Sequence, residues 1–185
     1  MKKMKTKDLV LIALFAALTA IGAQLSIPIG PVPITLQSLF CLLSALILGA
    51  KGGALSQILY VIMGFIGLPV FSNGQAGLTF ALRPTFGFVI GFIACAYVVG
   101  TISTKLNKTV LNYFLSSLAG TIIIYLFGII FFYFNMKYLV HKDLNFYTIL
   151  KLTTIPFLPG DLLKCIVASL VAVPVSLRAK KEGYI

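Results

Sequence analysis

Six stretches dominated by apolar residues recur along the chain, at Leu9 to Leu25, Ile34 to Leu48, Ala54 to Leu68, Pro84 to Ile102, Val110 to Phe134 and Pro159 to Leu177. A segment inside hydrocarbon must satisfy its own backbone N–H and C=O groups, and roughly 20 helical residues cross the bilayer core. The runs therefore predict an all-α polytopic membrane protein: six transmembrane helices in one compact bundle over residues 1–185, with no second domain. The second run is short for a full crossing, and the fifth is long enough to tilt. Composition agrees, since 59% of the residues are hydrophobic and 10% charged, against about 25% charged in soluble domains. A water-soluble domain and a disordered tail are both excluded.

The net charge of +11, from 15 Lys+Arg against 4 Asp+Glu, would point to nucleic acid in a soluble protein. In a membrane protein it reports topology. Six crossings put both termini on one side, together with Lys2, Lys3, Lys5, Lys7, Lys51, Lys105, Lys108, Arg178, Lys180 and Lys181. The opposite side has Arg83, Lys137, Lys142 and Lys151 in its loops, with Lys164 inside the last run. Basic residues collect on the cytoplasmic side, so both termini are expected in the cytoplasm, and no nucleic-acid partner is expected. The lysines before Leu9 resemble the start of a signal peptide, but the run is long and five similar ones follow, so it reads as a first span. The external side then holds a Pro/Gly turn at Ile27 to Pro33, a Gly-rich loop at Phe71 to Arg83 and a semi-polar connector at Lys137 to Leu158. That distribution suits capture of a solute from outside.

No GxxxxGK[ST] phosphate loop is present, and no GxSxG or HExxH motif points to an intramembrane enzyme. Cys41, Cys95 and Cys165 sit singly in apolar runs and read as buried thiols rather than metal ligands. No metal site and no cofactor are expected. Uphill transport would draw on a partner or an ion gradient, and a single intramembrane carboxylate, Asp161, favours the partner over an ion-coupled carrier.

Asp161 stands in Pro159-Gly160-Asp161-Leu162-Leu163-Lys164. An ionisable residue at a membrane helix end is a functional candidate, and the i, i+3 spacing puts Asp161 and Lys164 on one helix face as an acceptor beside a donor. The competing reading is a helix cap with its counter-ion. Arg83, just before Pro84 at the mouth of the fourth run, offers a planar donor fork suited to a carboxylate; alternatively it snorkels to the interface. Asn73, within Ser72-Asn73-Gly74-Gln75-Ala76-Gly77, brings an amide to the Gly-rich loop. Thr35 and Gln37 enter the second run with a hydroxyl and an amide, for ligand contact or for helix–helix hydrogen bonding. Tyr97 and Tyr125 are candidates to face a cavity. Ala13, Ala16, Ala17 and Ala20 form a small-residue strip that serves close packing within the bundle or docking of another subunit. His141 is assigned no role.

These residues together resemble the BioY family of biotin-specific S components of energy-coupling-factor (ECF) transporters. The resemblance runs from the first span to the end and rests on four stretches. They are Pro31-Val32-Pro33-Ile34-Thr35-Leu36-Gln37, Gly67-Leu68-Pro69-Val70-Phe71 with the glycine-rich loop after it, Arg83-Pro84-Thr85-Phe86-Gly87-Phe88 leading to Gly91-Phe92, and Pro159-Gly160-Asp161-Leu162-Leu163-Lys164. It implies a six-helix bundle in the cell membrane that binds biotin from outside and works with a transmembrane coupling subunit and two cytoplasmic ATPases, without being an enzyme itself. It also implies that the alanine strip docks the coupling subunit. Biotin fits the candidate residues: its ureido N–H groups suit Asp161, its ureido oxygen suits Lys164, Asn73 or Gln37, and its carboxylate suits Arg83. Alternatives are an S component for another vitamin or a small ion-coupled carrier resting on Asp161.

Overall fold

The computed structural model describes residues 5–27 and 31–181. Lys2, Lys3 and residues 28–30 of the expected Pro/Gly turn lie outside the described residues, as do the final residues of the expected 1–185 domain. The chain is mostly helical: α1 (Thr6–Gln24), α2 (Gln37–Phe65), α3 (Phe86–Lys105), α4 (Val110–Tyr138), α5 (Phe146–Thr153) and α6 (Leu158–Lys181). Besides the expected helices there is a small strand pair between α1 and α2, in which β1 (Ser26–Ile27) runs antiparallel to β2 (Ile34–Thr35).

Five helices, all but α5, are long and apolar enough to cross a membrane among the described residues. The second and third apolar runs, expected as separate helices, fall in one element, α2. That element is broken at Gly49, whose φ of 72° and ψ of −174° are non-helical and essentially restricted to glycine. Side-chain bonds show the consequence. Gln37 Nε2 donates to Tyr60 Oη at 2.6 Å, and Gln57 Nε2 donates to Ser44 Oγ at 3.3 Å. In a straight helix those pairs would stand about 35 Å and about 20 Å apart at 1.5 Å per residue. Residues 37–48 and 50–65 therefore fold back on each other as an antiparallel helical pair. Gln57 also donates to Thr19 Oγ1 at 3.3 Å, which ties α1 to the pair through a fully buried amide.

The core is apolar and continuous across α1, α2, α3, α4 and α6, with Phe15, Leu42, Leu46, Phe92, Val99 and Ala168 among its buried members. A smaller cluster joins Val32, Phe132, Ile149 and Phe157 at the end of the bundle that carries the strand pair. The expected connector between the last two apolar runs contains α5. Asn145 caps it, its Oδ1 accepting from Thr148 N at 2.8 Å, and Ile149 and Thr153, one turn apart, are its buried side. All three cysteines are free and buried, as expected.

Candidate functional site

The segment between α2 and α3 is a folded roof. Four carbonyls in it accept from side chains of three different helices. Gln24 Nε2 of α1 donates to Pro69 O at 3.0 Å and Phe71 O at 3.2 Å. Tyr60 Oη of α2 donates to Val70 O at 3.1 Å, and Asn135 Nδ2 of α4 donates to Leu82 O at 2.8 Å. Phe71 and Phe80 stack with ring centroids 4.0 Å apart. Polar loop backbone near hydrocarbon needs such partners, so the loop has a defined shape rather than the freedom its glycines suggest.

Beneath the roof lies a cleft that encloses about 590 Å³ when the part open to solvent is counted. Phe80, Phe88, Val89, Phe92 and Phe157 supply an apolar wall, while Ser38, Tyr125, Asp161 and Lys164 gather at a polar end. Lys164 Nζ meets Asp161 Oδ1 at 2.8 Å, with the lysine side chain 11% and the aspartate side chain 14% exposed. Ser38 bridges them, accepting from Lys164 at 3.1 Å and donating to Asp161 Oδ1 at 3.4 Å. Tyr125 Oη donates to the other carboxylate oxygen at 2.5 Å.

The hydrogen-bond inventory of this cluster decides what it can still do. A carboxylate has about four acceptor positions and an ammonium three donors. Three bonds reach Asp161 and two leave Lys164. Each group thus keeps one position for a ligand, an acceptor beside a donor. The two charges meanwhile neutralise each other at a depth where an unpaired one would cost several kcal/mol.

The sequence-selected residues divide accordingly. Asp161 and Lys164 meet as their spacing predicts, and the aspartate's side-chain bonds go to Tyr125, Lys164 and Ser38 rather than to the helix's own N–H groups, as a cap's would. Gln37 lines the cavity, but its amide nitrogen is committed to Tyr60 and its oxygen accepts from Thr35 at 2.9 Å. Asn73 is exposed and accepts from Ser26 Oγ at 3.1 Å; its neighbour Ser72 lines the cavity instead. Arg83 is exposed and outside the lining, two residues before Thr85, which is in it. Tyr125 lines the cavity, whereas Tyr97 is 54% exposed and does not. The alanine strip has two sides. Ala13 and Ala17 are exposed and Ala20 is half-buried, but Ala16 is fully buried in the core, so its methyl packs inside the bundle. Ser38, Thr153 and Phe157 were not singled out from sequence. Ser38 carried a weak signal as a polar residue beside Gln37 in an apolar run, whereas the other two sit in the connector region where no helix was expected.

The BioY family profile matches residues 1–181. A protein from Thermotoga maritima named "Biotin transporter BioY" is 40% identical over 175 residues, covering 95% of this chain and 96% of the relative. Another of that name from Rhizobium etli is 38% identical over 192 residues, covering 98% and 96%. The fold superposes on a crystal structure described as the S-component for biotin from an ECF-type ABC transporter, with a TM-score of 0.83, 27% identity and 94% of each chain covered. Profile match, near full-length kinship and shared fold together place this multi-pass cell-membrane protein in the BioY family.

Proposed function

We propose that the chain binds biotin in the cavity under the 66–85 roof and serves as the S component of an ECF-type ABC transporter. The carrying observation is the Asp161–Lys164 pair at one end of a cavity whose opposite wall is formed by Phe80, Phe88 and Phe92. A cyclic urea places an N–H beside a C=O, and the pair's two open positions complement them. The bicyclic and alkyl carbons pack on Phe80, Phe88 and Phe92. The carboxylate leaves toward the start of α3, where Arg83 reads it with two parallel donors, and Asn73 contributes from the roof's edge. Gln37 acts one step back, orienting the entry to α2.

The proposal extends to topology and partners. Counting the two arms of α2 separately gives six crossings in a single domain, and the lysine distribution puts both termini in the cytoplasm. The exposed faces of Ala13 and Ala17 on α1 dock a transmembrane coupling subunit, and two cytoplasmic ATPases supply the energy. Replacing Ala17 by Trp should leave the biotin Kd unchanged and abolish uptake in cells. Normal uptake by that variant would remove the docking role from this face.

Isothermal titration of purified protein tests the ligand. Biotin should bind, and Arg83→Ala should weaken biotin by about tenfold or more, at 1.4 kcal/mol per decade, while biotin amide loses much less. Lys should substitute poorly, because an ammonium lacks the bidentate fork. Absence of biotin binding by the unaltered chain overturns the reading, and equal losses for biotin and biotin amide detach Arg83 from the carboxylate.

A further inference from the structure

A second concave site lies on the outside of the bundle. α3 and α4 are close at Gly87, and beside that contact a crevice of about 570 Å³ opens between Ile90, Leu126, Phe127, Ile130, Phe131 and Phe134. Its lining contains no polar side chain. Leu126 is 54% and Ile130 48% exposed, so the crevice faces outward from the apolar part of two membrane helices. At its upper edge a row of aromatic rings leads to a cation. The Phe134 ring stacks on Tyr138 at 6.0 Å and an interplanar angle of 12°. The Lys137 ammonium lies 5.6 Å from the Tyr133 centroid and 5.9 Å from that of Tyr138, and it donates to Tyr133 Oη at 3.4 Å. That ammonium is exposed, at the end of α4 on the cavity side of the bundle.

We propose that this crevice holds one acyl chain of an anionic phospholipid, whose phosphate rests on Lys137. An acyl chain matches the purely apolar lining, and hydrocarbon that fills a concave surface recovers the dispersion contacts an empty crevice forfeits. The ammonium stands at the interfacial level marked by Tyr133 and Tyr138, where such rings sit beside headgroups. Holding it against two rings restricts a long side chain in advance, so phosphate capture costs less rotamer entropy than at a free surface lysine. The occupant is therefore selected by charge at one end and by shape at the other.

The chain contains no tryptophan, so Phe134→Trp creates a single reporter inside the crevice. This variant is reconstituted into phosphatidylcholine vesicles containing brominated phosphatidylglycerol or brominated phosphatidylcholine, both brominated in the acyl chain. The anionic lipid should outcompete the zwitterionic one for quenching by about fivefold, equivalent to about 1 kcal/mol for one lysine at a membrane surface. Adding Lys137→Ala should abolish the preference, Lys137→Arg should keep it, and biotin titration of each variant serves as the folding check. Equal quenching by the two lipids, or a preference that survives Lys137→Ala, overturns the site. Quenching by neither would mean that protein covers the crevice, and equal competition by a free brominated fatty acid would assign it to free acids; either result overturns the phospholipid.

Discussion

Asp161→Asn is expected to weaken biotin binding by tenfold or more, about 1.4 kcal/mol per decade of Kd. The substitution preserves size and removes a charge from a cluster in which every member depends on it. Lys164 loses its counter-ion at 2.8 Å. Tyr125 must meet either the amide oxygen or an amide N–H that points donor at donor unless its hydroxyl turns. In the proposed binding mode the ligand's ureido N–H would exchange a charge-assisted bond for a neutral one of roughly half the strength. Lys164→Ala should cost a similar amount from the other side, leaving a carboxylate without its cation and the ureido oxygen without its donor. The double variant should lose less than the sum of the single ones, because each single variant also strands a partly buried charge that the double variant removes. Calorimetry on the three variants, with melting temperatures to confirm folding, measures the coupling. Strict additivity would separate the two residues, and unchanged affinity in Asp161→Asn would leave the aspartate a structural role only.

The second large effect concerns the fold. Gly100→Val should lower stability by about 3 kcal/mol or more, at the upper end of overpacking costs. That corresponds to a melting temperature lower by roughly 6–12 °C for a chain of this size. A Cβ at position 100 would lie 2.3 Å from Ala50 N and 2.4 Å from Gly49 C. Both neighbours are backbone atoms, so no side-chain rotation relieves the clash. They also belong to the turn where α2 reverses, whose Gly49 conformation leaves few alternatives. Relief requires α3 to move away from the turn, opening buried packing around Leu46, Val99 and Ala96. Gly160→Ala is the matched control, because a Cβ there meets nothing within 4 Å. Equal thermal unfolding for Gly100→Val and Gly160→Ala in detergent would contradict the close approach.

Local features were legible in the residues themselves. A long apolar run in a bilayer has helix as its main outcome, since only internal hydrogen bonds are available, and five helices cover the six runs with ends shifted by a few residues. Asp161 and Lys164 were legible as a pair because i, i+3 neighbours on a helix meet whatever the rest of the chain does. The reversal within α2 was visible only as a gap between two runs around Gly49, Gly52 and Gly53. Two helical arms abut there with only Gly49 non-helical between them, so no polar linker marks the turn in the sequence. α5 was read as connector because its eight residues are too short for hydropathy to register, although Asn145 with Ile149 and Thr153 carried its cap and its period.

What only the tertiary structure decided is which polar residues share a space. Ser38 and Tyr125 are 123 and 36 residues from Asp161 in sequence, yet both bond to it. Arg83 and Asn73, chosen for their chemistry, sit at the edge of the roof while Ser72 and Phe80 reach the cavity. Ala16 and Ala17, adjacent in one strip, differ in burial, one in the core and one exposed, because neighbours on a helix point about 100° apart. Hydropathy and helical periodicity depend on a residue and its neighbours within about two turns, so the sequence alone determined the membrane class, the long apolar helices and the ion pair. The membership of the cavity depends on how α2, α4 and α6 converge, and that convergence comes from packing between segments far apart in the chain, which no local pattern encodes.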